Sequence, residues 1–244
     1  MVFEGLVGTN DCILSFALLW LYKEFLFCLN FQNTFHFNSK LWSNRNEFNL
    51  PGGQTGLNSQ ETKLPTYWNT PFSKICLGMK IGHQIKFTVI NVHANSLYSL
   101  IADGQYRTTS LGRITWKTLI GSQASLQPNC NKEGFNAACN SGASRTSIGF
   151  VANNENDCNT CDSRIGFGSA GRPDDTNTCG NAAGSTGLDN GSKNIKTMGY
   201  ILVQWHTAAP GDRSNVHNTR NYTCYAKSKL LILVVMQSLT LAAL

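Results

Sequence analysis

The chain has 244 residues, enough for one large domain with its own core, and a formal charge of +6 from 20 Lys and Arg against 14 Asp and Glu. Charged residues make up only 14% and prolines number 6, so the composition disfavours long surface helices and excludes a Pro-rich linker. The basic residues, among them Lys63, Lys74, Lys86, Arg113 and Lys196, are scattered and not interleaved with aromatics, which argues against a nucleic-acid partner.

In chain order, Met1 to Gln32 holds an apolar run, Ile13 to Tyr22, followed by Lys23-Glu24 and a second run to Phe31. Three readings stay open for residues 1–32: a signal or anchor, a buried strand or helix, or a leader foreign to the functional protein. Asn33 to Gln204 is the coherent segment. Alternating or short apolar runs predict strands at Thr34–Phe37, Lys74–Met79, Ile85–Ile90, Thr146–Val151 and Met198–Val203. Ser96–Ala102 predicts a short helix capped by Ser96, and Ile114–Ile120 a turn or two of helix. Turn signals such as Pro51-Gly52-Gly53, Asp103-Gly104 and Asp189-Asn190-Gly191 dominate elsewhere. The expected class is one α+β domain with a twisted sheet, few short helices and long ordered loops. Residues 205–244 read as a polar linker and an apolar tail, Leu230 to Leu244. That tail is open to two readings, a membrane-attachment signal or a frayed end.

Nine cysteines, six of them between Cys76 and Cys179, point to an oxidising compartment. Spacing predicts the bridges Cys130–Cys158 and Cys161–Cys179, with Cys76 pairing upstream, Cys28 being the candidate, and Cys139 and Cys224 left over. The sequons at Asn190 and Asn221 are compatible with secretion and glycosylation.

The richest stretch is Asn153 to Asn181. It holds Glu155, Asp157, Asp162, Asp174 and Asp175 among Gly- and Asn-rich turns, in a chain that is otherwise basic. Hard oxygen donors in such turns suit calcium, which takes 6–8 oxygens with flexible geometry. These five carboxylates are therefore the candidate ligands. Cys158-Asn159-Thr160-Cys161 lacks the βαβ setting of a redox dithiol and the histidines of a zinc site. Gly166 to Gly171 matches G-x-G-x-x-G, but no helix opens after it, so a dinucleotide site is rejected. The five histidines are dispersed and Gly-x-Ser-x-Gly is absent, so no catalytic constellation is expected.

Three stretches together carry a family likeness: Leu41 to Lys80, Ser96 to Phe135, and the cysteine loop with Ile195 to Gln204. They resemble a cnidarian group of secreted fibrinogen-related proteins that includes skeletal organic matrix proteins. Gly149-Phe150-Val151 followed by Asn153-Asn154-Glu155, with Cys179-Gly180 later, is similar to intelectins. The resemblance implies a fibrinogen C-terminal-like fold, calcium in the C-terminal loops and saccharide recognition without catalysis. The Gly-Gly-Trp-Thr strand that opens that family is missing, and no aromatics lie between Gly180 and Met198 to flank a sugar. The expected function is a secreted or surface-attached, calcium-assisted, lectin-like module that binds a glycan. The alternative is a structural matrix component that binds extracellular matrix protein.

Overall fold

Phe72–Ile81 and Gln84–Ala94 are two strand-length segments separated by Gly82 and His83, which makes a hairpin the natural solution. Gly82 takes the turn at φ 59°, a conformation open to glycine at no steric cost. The computed structural model describes residues 6–8, 22–28, 34–54, 60–140 and 142–205. All of these fall within one compact unit. Of the proposed linker and tail, Trp205 ends a strand and the rest lies outside the described residues, as do the Asn221 sequon, Cys12 and Cys224. So do most of residues 1–32.

Two sheets carry the architecture. The first contains β1 (Leu6–Gly8), β2 (Tyr22–Cys28), β3 (Thr62–Lys63), β4 (Phe72–Ile81), β5 (Gln84–Ala94) and β12 (Met198–Trp205), in the order β1-β5-β4-β12-β2-β3. Only β1 and β5 pair in parallel; the other neighbours are antiparallel. The second sheet runs β11-β10-β9-β8-β7-β6 and is antiparallel throughout. Its strands are β6 (Arg107–Thr108), β7 (Asn129–Ala138), β8 (Arg145–Asn153), β9 (Ser163–Ala170), β10 (Cys179–Ala183) and β11 (Lys193–Lys196). Thr197 alone separates β11 from β12, so the chain crosses from one sheet to the other in a single residue. Among the described residues there are three short α-helices: α1 (Thr66–Asn69), α2 (Leu97–Ile101) and α3 (Arg113–Thr118). Ser96 caps α2 by accepting from the Ser99 N–H at 3.2 Å. Among the described residues, no helix is long and apolar enough to cross a membrane. The architecture is thus mainly antiparallel sheet with a few short helices, as the composition implies.

The main core joins both sheets and the helices. Leu77 and Ile201 come from the first sheet, Phe150 and Phe167 from the second, and Leu97 and Trp116 from the helices. The far face of the first sheet packs Cys76, Phe87, Tyr200 and Leu202 separately. Cys76 is disulfide-bonded. In the backbone register Cys28 of β2 faces Gly199 and Cys76 of β4 faces Leu202, on the two sides of β12.

Four glycines form a row across the second sheet: Gly134 faces Gly149, Gly149 faces Gly166 and Gly166 faces Gly180. A Cβ on Gly166 would sit 2.1 Å from the Thr146 hydroxyl, and one on Gly180 would sit 2.0 Å from the Ile195 carbonyl. The backbones approach along this line as no side chain would permit.

Thr34–Phe37 is a turn and not the predicted strand. Phe35 is fully buried and Trp42 donates to the His36 carbonyl, so the apolar alternation there anchors a loop to the core. The 153–181 stretch is not one long loop either. It contains all of β9 and opens β10, and two separate loops remain, 154–162 and 171–178.

Lys63 is buried, and among the described residues no carboxylate pairs with it. Its ammonium donates to the Leu41 carbonyl (2.6 Å), the Asn44 carbonyl (2.8 Å) and Asn44 Oδ1 (2.8 Å), beneath the rings of Tyr67 and Trp68. Burial pulls its pKa down to about 8.

Candidate functional site

The side of the second sheet away from the main core is capped by loops, and two disulfides pin them. Cys130–Cys158 forms as the spacing predicts, with Cα atoms 5.1 Å apart. Cys161–Cys179 does not form; Cys161 joins Cys139, with Cα atoms 6.0 Å apart. The reason is which face each cysteine takes. Cys179 pairs with Phe167 and packs into the main core, where its thiol accepts from the Thr197 hydroxyl. Cys161 packs with Cys139, Ala137 and Val151 on the opposite side. Sequence separations of 28 and 22 residues make each bridge worth about 3–4 kcal/mol in the chain-entropy picture.

The five predicted carboxylates divide between two loops. Glu155, Asp157 and Asp162 lie on 154–162; Asp174 and Asp175 lie on 171–178. Among the described residues, no three of them bring ligand atoms within 4.8 Å of one another.

In the first loop, Asn153 is the hub. It ends β8, is fully buried, and directs its amide nitrogen at three oxygens: the Asp157 carbonyl (3.1 Å), Asp157 Oδ1 (3.3 Å) and Thr160 Oγ1 (3.3 Å). Its own Oδ1 is buried without a hydrogen-bond partner among the described residues. Asp157 Oδ1 also accepts from the Asn159 N–H at 2.8 Å, closing an Asx turn. Glu155 is exposed and accepts from Asn154 beside it. Asp162 directs its backbone elsewhere, its N–H to Gln127 and its carbonyl to Gly184.

The second loop already contains a cation. Arg164, only 1% exposed, extends from β9 into the loop. Nη1 donates to the carbonyls of Gly171 (3.0 Å) and Arg172 (2.6 Å), and Nη2 to those of Asp174 (2.6 Å) and Asn177 (2.9 Å). Burial pulls its pKa down to about 10, while the charges of Asp174 and Asp175 work against that fall. The two carboxylates are themselves engaged. Asp174 accepts from Thr176 and Asn194, and Asp175 from the Gly171 N–H and His36. For Asp174, partial burial pushes the carboxyl pKa up, but the bonds from Thr176 and Asn194 and the charge of Lys196 outweigh it. The net shift is below the usual range. For Asp175, the Gly171 N–H leads and His36 adds to it, against a smaller effect of burial, with the same result.

The second loop is thus organised around a buried guanidinium that binds its backbone carbonyls, and the oxygen cluster of the first loop is the candidate cation site. Asn153 was visible among the amides of the stretch, but Thr160 and Arg164 gave no signal. Asn190 is exposed in a turn, with its amide donating to the Ser122 and Ala124 carbonyls. No family model, no curated protein and no solved structure matches the chain.

Proposed function

We propose that the chain is an extracellular, non-catalytic recognition module of the lectin type, fibrinogen-like in fold, with calcium held by the 153–160 loop. The Asn153 hub carries this reading. A buried amide already surrounded by three oxygens, with its own oxygen lacking a hydrogen bond, becomes an oxygen ligand by a half-turn about its last torsion. Asn153 Oδ1, the Asp157 carbonyl, Asp157 Oδ1 and Thr160 Oγ1 then supply four of the 6–8 oxygens calcium takes. The open positions suit water and vicinal hydroxyls of a glycan. Asp174 and Asp175 fall outside the ligand set, since their loop is neutralised by Arg164. The pinned loops and paired cysteines suit an oxidising, extracellular setting.

Titration calorimetry tests the metal. Binding is expected at Kd of about 10⁻⁴ to 10⁻³ M, the range of extracellular modules. Asn153→Ala and Asp157→Asn should each abolish it, while Asp174→Asn leaves it intact. Absence of heat up to about ten times the weak end of that range sinks the metal. A glycan array run with and without chelator then tests the ligand. Calcium binding with no glycan retained would turn the reading to a matrix-protein partner.

A further inference from the structure

The two bridges of the loop cap touch. Sγ of Cys161 lies 3.8 Å from Sγ of Cys130, although these cysteines belong to different disulfides. The sulfurs of Cys130, Cys139 and Cys161 all lie within 4.8 Å of one another. Exposure is graded through the group: Cys130 and Cys158 are partly exposed, Cys139 and Cys161 are buried. Beside Cys158, Asp157, Asn159 and Thr160 are all exposed, so a small molecule can approach from that side.

We propose that these four cysteines form a thiol–disulfide exchange site that takes a low-molecular-weight monothiol at Cys158, with Cys130–Cys161 as its alternative internal bridge. Exchange runs by attack of a thiolate on a disulfide sulfur, and its course is set by access and by which sulfur lies within reach. An external thiolate attacks Cys158 Sγ. The new bond is the mixed disulfide on Cys158, and the Cys130–Cys158 bond breaks, leaving its electron pair on Cys130. The Cys130 thiolate then faces Cys161 Sγ at contact distance. Its attack forms Cys130–Cys161, breaks Cys139–Cys161 and leaves Cys139 as the thiolate, which takes a proton from water. One external thiol is consumed, one protein thiol appears, and two disulfides are present before and after. Cys179 lies in the main core apart from this group and takes no part.

Removing either outer cysteine leaves one thiol inside the group, and both removals converge on the same new bridge. In Cys139→Ser, Cys161 is left as a thiol and should attack Cys130. In Cys158→Ser, Cys130 is left and should attack Cys161. Acid quenching, alkylation and peptide mapping under non-reducing conditions read the result. Expected is a Cys130–Cys161 linked peptide as a major species in both variants, with Cys158 alkylated in the first and Cys139 in the second. The intact chain treated with reduced glutathione should carry the mixed disulfide on Cys158 together with Cys130–Cys161. The proposal is overturned if each variant keeps its remaining native bridge and the single thiol is alkylated in place. It is equally overturned if other pairings appear, since these report scrambling in an unfolded chain.

Discussion

The indole of Trp116 donates to Oε2 of Glu133 at 2.6 Å, tying the middle of α3 to β7 through a fully buried tryptophan. The same carboxylate accepts from Thr109 Oγ1 and the N–H groups of Leu111 and Gly112, so one side chain fixes the whole entry to the helix. A glutamine there offers one acceptor oxygen in place of two and brings a donor into a ring of donors. Glu133→Gln should therefore lower stability by about 1–3 kcal/mol, the cost of an orphaned buried donor. A double-mutant cycle with Trp116→Phe in urea denaturation should return a coupling energy above about 0.5 kcal/mol. Additive losses would show that the bond is not a stabilising pair.

Arg164 holds four carbonyls of the 171–178 loop from within the sheet. Arg164→Met keeps part of the bulk and removes every donor, which should cost at least about 3 kcal/mol. In a domain near 200 residues that is a fall in Tm of about 6–12 °C. Arg164→Lys should recover little of it, because an ammonium cannot reproduce a planar fork that reaches both pairs of carbonyls. Scanning calorimetry of both variants decides the matter.

Lys63 gives a signature at alkaline pH. Its folded pKa of about 8 lies below the ordinary value of 10.5, so between the two the unfolded chain binds more protons than the folded one. The contribution of Lys63 to stability therefore rises with pH across that window. Lys63→Met removes the titration. The stability difference between the native chain and the variant should move in favour of the native chain from pH 8 to 10.5. A flat difference would show that its hydrogen bonds and the two aromatic rings hold the ammonium charged throughout.

At acidic pH the sign runs the other way. Asp174, Asp175 and Asp189 all have folded pKa values below the usual carboxylate range. For Asp189, burial opposes the shift, but Lys117, the Leu126 N–H and Arg113 prevail. The stabilisation they give is fully present above the unfolded value, near 3.9 for Asp. It is lost as pH falls through the lower folded values. Denaturation midpoints between about pH 5 and 2 should drop, and Asp189→Asn should reduce the slope in that window.

The hairpin of β4 and β5, strand β12 and helices α2 and α3 were legible because apolar residues recur there with a clear period or a cap. In the second sheet only β8 was legible, as the run Thr146–Val151; β7, β9 and β10 were not. Every residue of β9 is buried, and its polar positions are Ser163, Arg164 and Ser169. A strand covered on both faces has no alternation to display, and its glycines read as turns. That burial also hid Arg164, since a lone arginine between serine and isoleucine has no sequence mark of a buried loop anchor. The oxidising chemistry was legible from the number of cysteines, and one pairing from spacing. The second pairing depended on which sheet face each cysteine takes, which follows from register and not from distance along the chain.

The glycine row across the second sheet constrains the chain in a way that no active-site argument would bring out. Gly134, Gly149, Gly166 and Gly180 are far apart in sequence, yet each stands where its neighbour's backbone leaves no room for a methyl group. In a saturation-mutagenesis library these four positions should therefore emerge together as a seam of intolerance. The surrounding exposed turns should accept most substitutions. Such a seam records backbone geometry and carries no chemistry. A search for functional residues that ranks positions by intolerance alone would place four bystanders at the top of its list.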